Sequence, residues 1–190
     1  MHRVLVFLAV ISVMLAACSK KQEGPPPKEL QNSQAAMGAG NTVAGVKWSV
    51  PSRWSEGPQK PMRVATYNTP AAEGGAEGGE CAVFFFGSGQ GGDIEANINR
   101  WVDQFENVKN PERSSKEVYG MKVELVRIAG TYLAPSGPMM QSSGKKDNYR
   151  LLGAIVAAPE GSVFFKLTGP AKTIAAAEGD FESLINSLTK

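Results

Sequence analysis

The chain has 190 residues, of which 42% are hydrophobic, and 20 Lys and Arg stand against 18 Asp and Glu for a formal net charge of +2. That near-balance argues against general nucleic-acid binding, which needs a basic face to replace phosphate counterions. His2 is the only histidine, so a chain that loses its first residues has no imidazole, which excludes histidine-dependent triads and histidine-ligated zinc sites.

In chain order, Met1-His2-Arg3 is followed by an apolar run from Val4 that closes in Leu15-Ala16-Ala17-Cys18. The run is too short to span a bilayer as a helix, which takes about 20 residues. Small residues lead up to the cysteine, as signal-peptide cleavage requires. The stretch resembles the lipobox of bacterial lipoproteins. The resemblance implies that residues 1–17 are a signal peptide and that Cys18 is acylated, becomes the mature N-terminus and holds the protein to a lipid bilayer. Ser19, standing where an aspartate would retain a lipoprotein at the inner membrane, resembles outer-membrane sorting. The expected address is therefore the periplasmic side of the cell envelope, outer membrane before inner. Cleavage removes Arg3 and no acid, leaving 19 Lys and Arg against 18 Asp and Glu and a side-chain charge of +1. With Cys18 lipidated, Cys81 has no partner for an intramolecular disulfide. Set in Cys81-Ala82-Val83-Phe84-Phe85-Phe86, it reads as an inert core thiol.

Residues 18–45 read as the lipidated cysteine and a disordered tether, carrying Lys20-Lys21, Pro25-Pro26-Pro27 and the small, polar run from Gln34 to Gly40. As a flexible coil, the segment from Ser19 to Gly45 would have a root-mean-square reach of ~30 Å. Residues 46–190 then suffice for one globular domain with a single core, without internal repeats.

Within that domain Val46, Trp48 and Val50 alternate, as do Met62, Val64 and Thr66, which predicts two strands. Cys81 to Phe86 is continuously apolar. Tyr149 to Ala158 carries Leu151 and Ile155 on one parity, Leu152 and Val156 on the other; such strands are covered on both faces. After the Pro159-Glu160-Gly161 turn, Val163, Phe165 and Leu167 alternate with Phe164, Lys166 and Thr168. Val118 to Tyr132 supplies one or two strands whose apolar parity changes between Leu125 and Val126, predicting a bulge or break near Arg127. Helical spacing marks Ile94, Ile98, Trp101, Val102 and Phe105 behind Asp93 as N-cap, ending before Asn110-Pro111. It marks Ile174, Ala177, Phe181, Leu184, Ile185 and Leu188 behind Gly169-Pro170, although the interior Gly179 costs ~1 kcal/mol against alanine. Strands, helix, strands, helix predict an α+β fold: a largely antiparallel sheet with helices packed on it, in three layers.

Trp48-x-Val50-Pro51-x-x-Trp54, Met62-Arg63-x-Ala65-x-Tyr67, Gly89-Gln90-Gly91-Gly92 with Asn97-Ile98-Asn99-Arg100-Trp101, and Phe164-Phe165-Lys166-Leu167-Thr168-Gly169-Pro170 resemble, in this order, a bacterial envelope lipoprotein family without an assigned activity. More distantly the layout resembles the PsbP-like α/β/α sandwich. The resemblance implies a binding or assembly factor rather than an enzyme, and it supplies no catalytic residue and no cofactor.

Gly87-Ser88-Gly89-Gln90-Gly91-Gly92 fits the spacing of a dinucleotide fingerprint between a strand and a helix. A Rossmann unit, however, continues into a parallel strand with an acid at its end, and the expected region at Asn110-Pro111-Glu112-Arg113 reads as a turn. Asp93 would also compete with a phosphate for the helix N-terminal donors. The glycines are therefore read as backbone geometry. Ser142-x-x-Lys145 has the spacing of penicillin-binding proteins without the companion motifs. Glu73, Glu77 and Glu80 in the glycine-rich stretch 68–80 match no calcium-loop pattern, and no metal ligand or cofactor is expected. Arg100 beside Asn97 is read as pairing with a local acid, and Trp48, Trp54 and Trp101 as core. Residues 134–148 read as a long loop in which Met139, Met140, Lys145 and Lys146 would offer adaptable apolar side chains beside positive charge to a protein partner or an anionic headgroup. The reading is a membrane-anchored, non-catalytic binding or assembly module. Its alternatives are a nucleotide-binding or carboxylate-dependent enzyme using the Gly87–Gly92 loop, and a structural envelope protein.

Overall fold

The computed structural model describes residues 41–135 and 142–190. The expected signal peptide, Cys18, the tether through residue 40, Met139 and Met140 lie outside them. In chain order the elements are β1 (Thr42–Val43), β2 (Val46–Lys47), β3 (Ser55–Glu56), β4 (Ala65–Asn68), β5 (Glu80–Phe85) and α1 (Ile94–Val102). They continue with β6 (Phe105–Glu106), β7 (Glu112–Val118), β8 (Met121–Pro135), β9 (Ser142–Ala158), β10 (Gly161–Pro170) and α2 (Ala171–Asn186). The main sheet runs β3-β4-β5-β10-β9-β8-β6, with β7 also paired to β8, while β1 and β2 pair with each other. Every described pairing is antiparallel.

The strands that are apolar on both parities occupy the middle of the sheet, because both of its faces are covered. Leu152, Ala154, Val156, Val163 and Phe165 face α2, whose Ile174, Ala177, Phe181, Leu184 and Ile185 form its buried stripe. Leu151, Ile155 and Phe164 face the other way, toward Ile98 and Trp101 of α1. The result is the expected α+β sandwich, helix on sheet on helix. Trp48 and Trp54 are buried on the α2 side. There Trp48 Nε1 donates to Tyr67 Oη at 3.0 Å and Trp54 Nε1 to Asp180 Oδ2 at 3.1 Å, satisfying the polar end of each indole. Trp101 lies directly over Gly153, where a Cβ would stand 2.3 Å from its ring.

Asp93 caps α1 as expected, its Oδ1 accepting from the Ala96 N–H at 2.8 Å. The helix stops at Val102, earlier than its apolar spacing suggests. Phe105 is buried all the same, but in β6, where its backbone pairs with Tyr132 and the two rings lie 5.1 Å apart. Helix α2 leaves β10 directly through Pro170 and runs through Gly179.

Four further expectations need correction. The parity change at Leu125/Val126 is not a bulge: β8 and β9 stay in register from Val123 through Arg127 to Gly130, and the shifts fall between Gly130 and Tyr132 and between Leu133 and Pro135. Leu125 packs on the α2 side and Val126 on the α1 side, so burial of both faces mimicked a break. Packing begins before Val46, with Val43 and Ala44 buried and Thr42 paired to Lys47. Glu112 opens strand β7 rather than sitting in a turn. Residues 142–148 are strand, not loop, because β9 begins at Ser142 and its first residues continue the ladder with β8.

Candidate functional site

Helix α1 has 9 residues, about 13.5 Å of length, whereas β8 and β9 have 15 and 17 residues and run roughly 50 Å if straight. A helix that short covers only part of its face. Its Trp101 meets Phe164 edge-on at 6.5 Å between centroids. Past the end of the helix the sheet is left open as a cleft of about 680 Å³, within the usual size range of small-molecule sites.

The floor is β5 and β10. Glu80 and Ala82 on β5 lie opposite Thr168 and Lys166 on β10. Lys166 and Thr168 share the parity of Phe164, and thus face the α1 side. Arg63, from the β3–β4 connection, forms one wall; Glu77, from the β4–β5 connection, forms another. Tyr132, Lys146 and Tyr149, from β8 and β9, close the far side. The Tyr132 and Tyr149 rings stack at 5.7 Å with an interplanar angle of 5°.

Charge in the cleft is mostly paired. Glu80 takes Arg63 Nη1 at 2.8 Å and is also bonded by Lys60 Nζ. Burial works to raise the Glu80 pKa, but the hydrogen bonds and charges of Lys60 and Arg63 outweigh it and hold the carboxyl below its usual range. Glu77 accepts from Lys146 Nζ at 2.7 Å, and that bond holds its pKa down in turn. Lys146 also donates to Tyr149 Oη at 2.9 Å. Burial raises both Tyr132 and Tyr149, so these phenols stay protonated donors.

Lys166 is different. Its Nζ donates to Gln104 Oε1, a neutral acceptor, and lies 5.6 Å from the centre of the Tyr132 ring. Burial, with the nearby Arg63 charge adding and Glu80 opposing, pushes its pKa down to about 8. Two residues along the strand, the Thr168 hydroxyl is buried and has no hydrogen-bond partner. A desolvated ammonium without a carboxylate partner and an unused hydroxyl thus stand side by side on one floor.

The cleft contains Glu77, Glu80 and Lys146 from among the residues singled out in the sequence. It does not contain Lys145, which leaves β9 toward Glu106 at 2.6 Å. Glu73 contributes its carbonyl to Lys172 at 2.7 Å. Arg100 donates not to an acid but to Asn97 Oδ1 at 2.8 Å. Asn97 in turn donates to the carbonyls of Gly91 at 2.6 Å and Asp93 at 2.8 Å, fastening the glycine loop to the helix start. Gly87, Gly89, Gly91 and Gly92 all have positive φ, which accounts for the glycines by backbone geometry. After α1 the chain enters β6 and β7, both antiparallel to β8, instead of the parallel strand of a dinucleotide fold. Cys81 is fully buried, and burial raises its thiol pKa further from reactivity. Among the described residues no group of three or more His, Cys, Asp or Glu is placed to hold a metal ion.

Sequence reasoning missed Lys166, Thr168, Arg63, Tyr132 and Tyr149. A signal for Lys166 was present. A lysine on the parity of Phe164, inside a strand apolar on both sides, marks a buried cation. Arg63 and the tyrosines come from distant segments, and only the strand order joins them.

These features define an antiparallel α/β/α sandwich with a polar cleft beside its shorter helix. No family model and no curated protein matches the chain. Among solved structures it is similar to the cyanobacterial PsbP protein (CyanoP) of Synechocystis sp. PCC 6803, determined in solution. The two share 9% identity at a TM-score of 0.48, over 76% of this chain and 86% of that chain.

Proposed function

We propose that this protein is a lipid-anchored, non-catalytic binding module of the bacterial cell envelope, tethered through acylated Cys18 and taking a small ligand in the cleft between Arg63, Lys166 and Tyr149. The observation that carries the binding reading is the cleft itself. It is about 680 Å³, and its carboxylates Glu77 and Glu80 are each tied to cations. Carboxylates held ionised in this way suit recognition; a general acid at neutral pH needs a raised pKa instead. The lipobox ending at Cys18 supports the anchor, and Ser19 supports the outer membrane as its site. No helix of the described residues is long and apolar enough to cross a membrane. A protein partner would meet the domain at the β8–β9 hairpin, between whose strands Met139 and Met140 fall in sequence.

The test is native mass spectrometry of the mature protein released from envelopes in mild detergent. A bound small molecule is expected on the wild type and is expected to be lost from Ala82→Leu, which fills the floor between Thr66 and Lys166. Recovery of the same mass on both proteins, or of no bound mass from any envelope preparation, would count against the reading.

A further inference from the structure

Of the cations that line the cleft, Arg63 and Lys146 are ion-paired, to Glu80 and Glu77. Lys166 forms no ion pair among the described residues, and its ammonium is spent on the neutral Gln104 amide. An ammonium half-buried in the cleft floor and left without a carboxylate partner is held at a cost in desolvation, which an arriving anion would offset. The neighbouring Thr168 hydroxyl is likewise a buried donor with nothing to bind. The two side chains leave the same face of β10 two residues apart, about 7 Å along the strand, a span that two oxygens of one anionic group and its approach can bridge. Apolar surface adjoins them on both sides, with Ala82 on the floor and the stacked Tyr132 and Tyr149 rings on the wall. Glu77 and Glu80 are occupied by their cations and do not offer a site for a positively charged ligand.

We infer that the cleft selects a small organic anion, its carboxylate or phosphate seated on Lys166 and Thr168 and its apolar body laid along the tyrosine wall. The ligand displaces Gln104 as the acceptor for Lys166 Nζ, and it accepts a hydrogen bond from the Thr168 hydroxyl. The lowered pKa of Lys166, about 8, fits a site built empty of its counterion, since an arriving anion restores the charge balance and raises it again. This inference rests on the cleft being a ligand site and adds the charge and shape of what enters.

Three probes of one shape and different charge separate the possibilities: benzoate, benzamide and benzylamine. Each is titrated into the isotopically labelled full-length protein in detergent micelles at pH 7, with the backbone amides of Ala82, Tyr149 and Thr168 as reporters. Benzoate is expected to move these signals and to bind at least about tenfold more tightly than benzamide, the usual worth of one charge-assisted hydrogen bond. Lys166→Gln is expected to reduce benzoate to the benzamide level, and Lys166→Arg to retain the preference. Removing an unpaired buried charge does not threaten folding, so the glutamine variant remains measurable. Equal or tighter binding of benzamide or benzylamine, or a benzoate affinity indifferent to Lys166→Gln, overturns the anion assignment and leaves the cleft as a ligand site. If none of the three moves the reporters, the cleft reading falls with it.

Discussion

Lys166 is the residue at which the proposed binding role and stability pull in opposite directions. Its folded pKa of about 8 lies below the ordinary lysine value of 10.5. Between those two pH values the unfolded chain holds the proton and the folded chain does not, so stability rises with pH across that window. Below about pH 8 the full penalty applies; above about 10.5 it is gone. The penalty is on the order of 3 kcal/mol, one pKa unit being 1.36 kcal/mol. Lys166→Met is accordingly expected to raise the denaturant midpoint at pH 7. Its advantage over the wild type should shrink by pH 10, which paired unfolding curves at the two pH values would show. A variant less stable than the wild type at pH 7 would mean that the Gln104 bond outweighs desolvation. Trp101 illustrates the opposite case, a residue whose burial is wholly stabilising. Its ring covers Gly153 and abuts Phe164, so Trp101→Ala is expected to cost about 3–5 kcal/mol through the cavity it leaves. An unchanged midpoint would show that the ring contributes no packing.

At the scale of elements, the shortness of α1 creates the cleft, and the glycine loop positions that helix. Gly91 has φ +93°, and a Cβ there would meet the Phe164 and Phe86 rings at 3.1 Å. Gly91→Val combines a disfavoured backbone with overpacking, and a loss of about 2–4 kcal/mol is expected in equilibrium unfolding. The same reading expects no saturable heat on titrating the wild type with NAD, NADP, ATP or FAD. Stoichiometric binding that vanished in a folded Gly91→Val variant would restore the nucleotide alternative. Both stripes of helical spacing were legible in the sequence, because a helix face repeats its contacts locally. The extent of α1 was not: Phe105 satisfies the helical spacing but is claimed by a backbone ladder with Tyr132, a partner distant in sequence. The supposed break at Arg127 failed for a related reason, since parity rules assume one wet face and β8 has two dry ones.

For the whole molecule, the anchor is the prediction of widest consequence. With Cys18→Ser, incorporation of labelled fatty acid and normal maturation are expected to be lost, and the protein is expected to leave the membrane fraction. Labelling and maturation that proceed unchanged would remove the lipoprotein reading. The cleft reading would survive that outcome, because it depends on residues of the folded domain alone.

The sequence by itself determined the layer architecture. Apolar residues on both parities of 149–158 demanded cover on two faces, and the two amphipathic stripes at 94–105 and 174–188 supplied it. It also assigned the glycines of 87–92 and the buried indoles to structure, since a cap at Asp93 and the runs around Trp48 and Trp101 are local facts. Tertiary structure alone decided the site. Arg63, Glu80, Tyr132, Tyr149 and Lys166 come from four strands and a connection, and they converge only because the order β4-β5-β10-β9-β8 sets those strands side by side. A lysine on a core parity was visible beforehand; that it would find an amide instead of a carboxylate was not. That depends on where a nine-residue helix happens to end, and contacts between residues 62 positions apart, such as Lys166 with Gln104, leave no periodic trace in the chain.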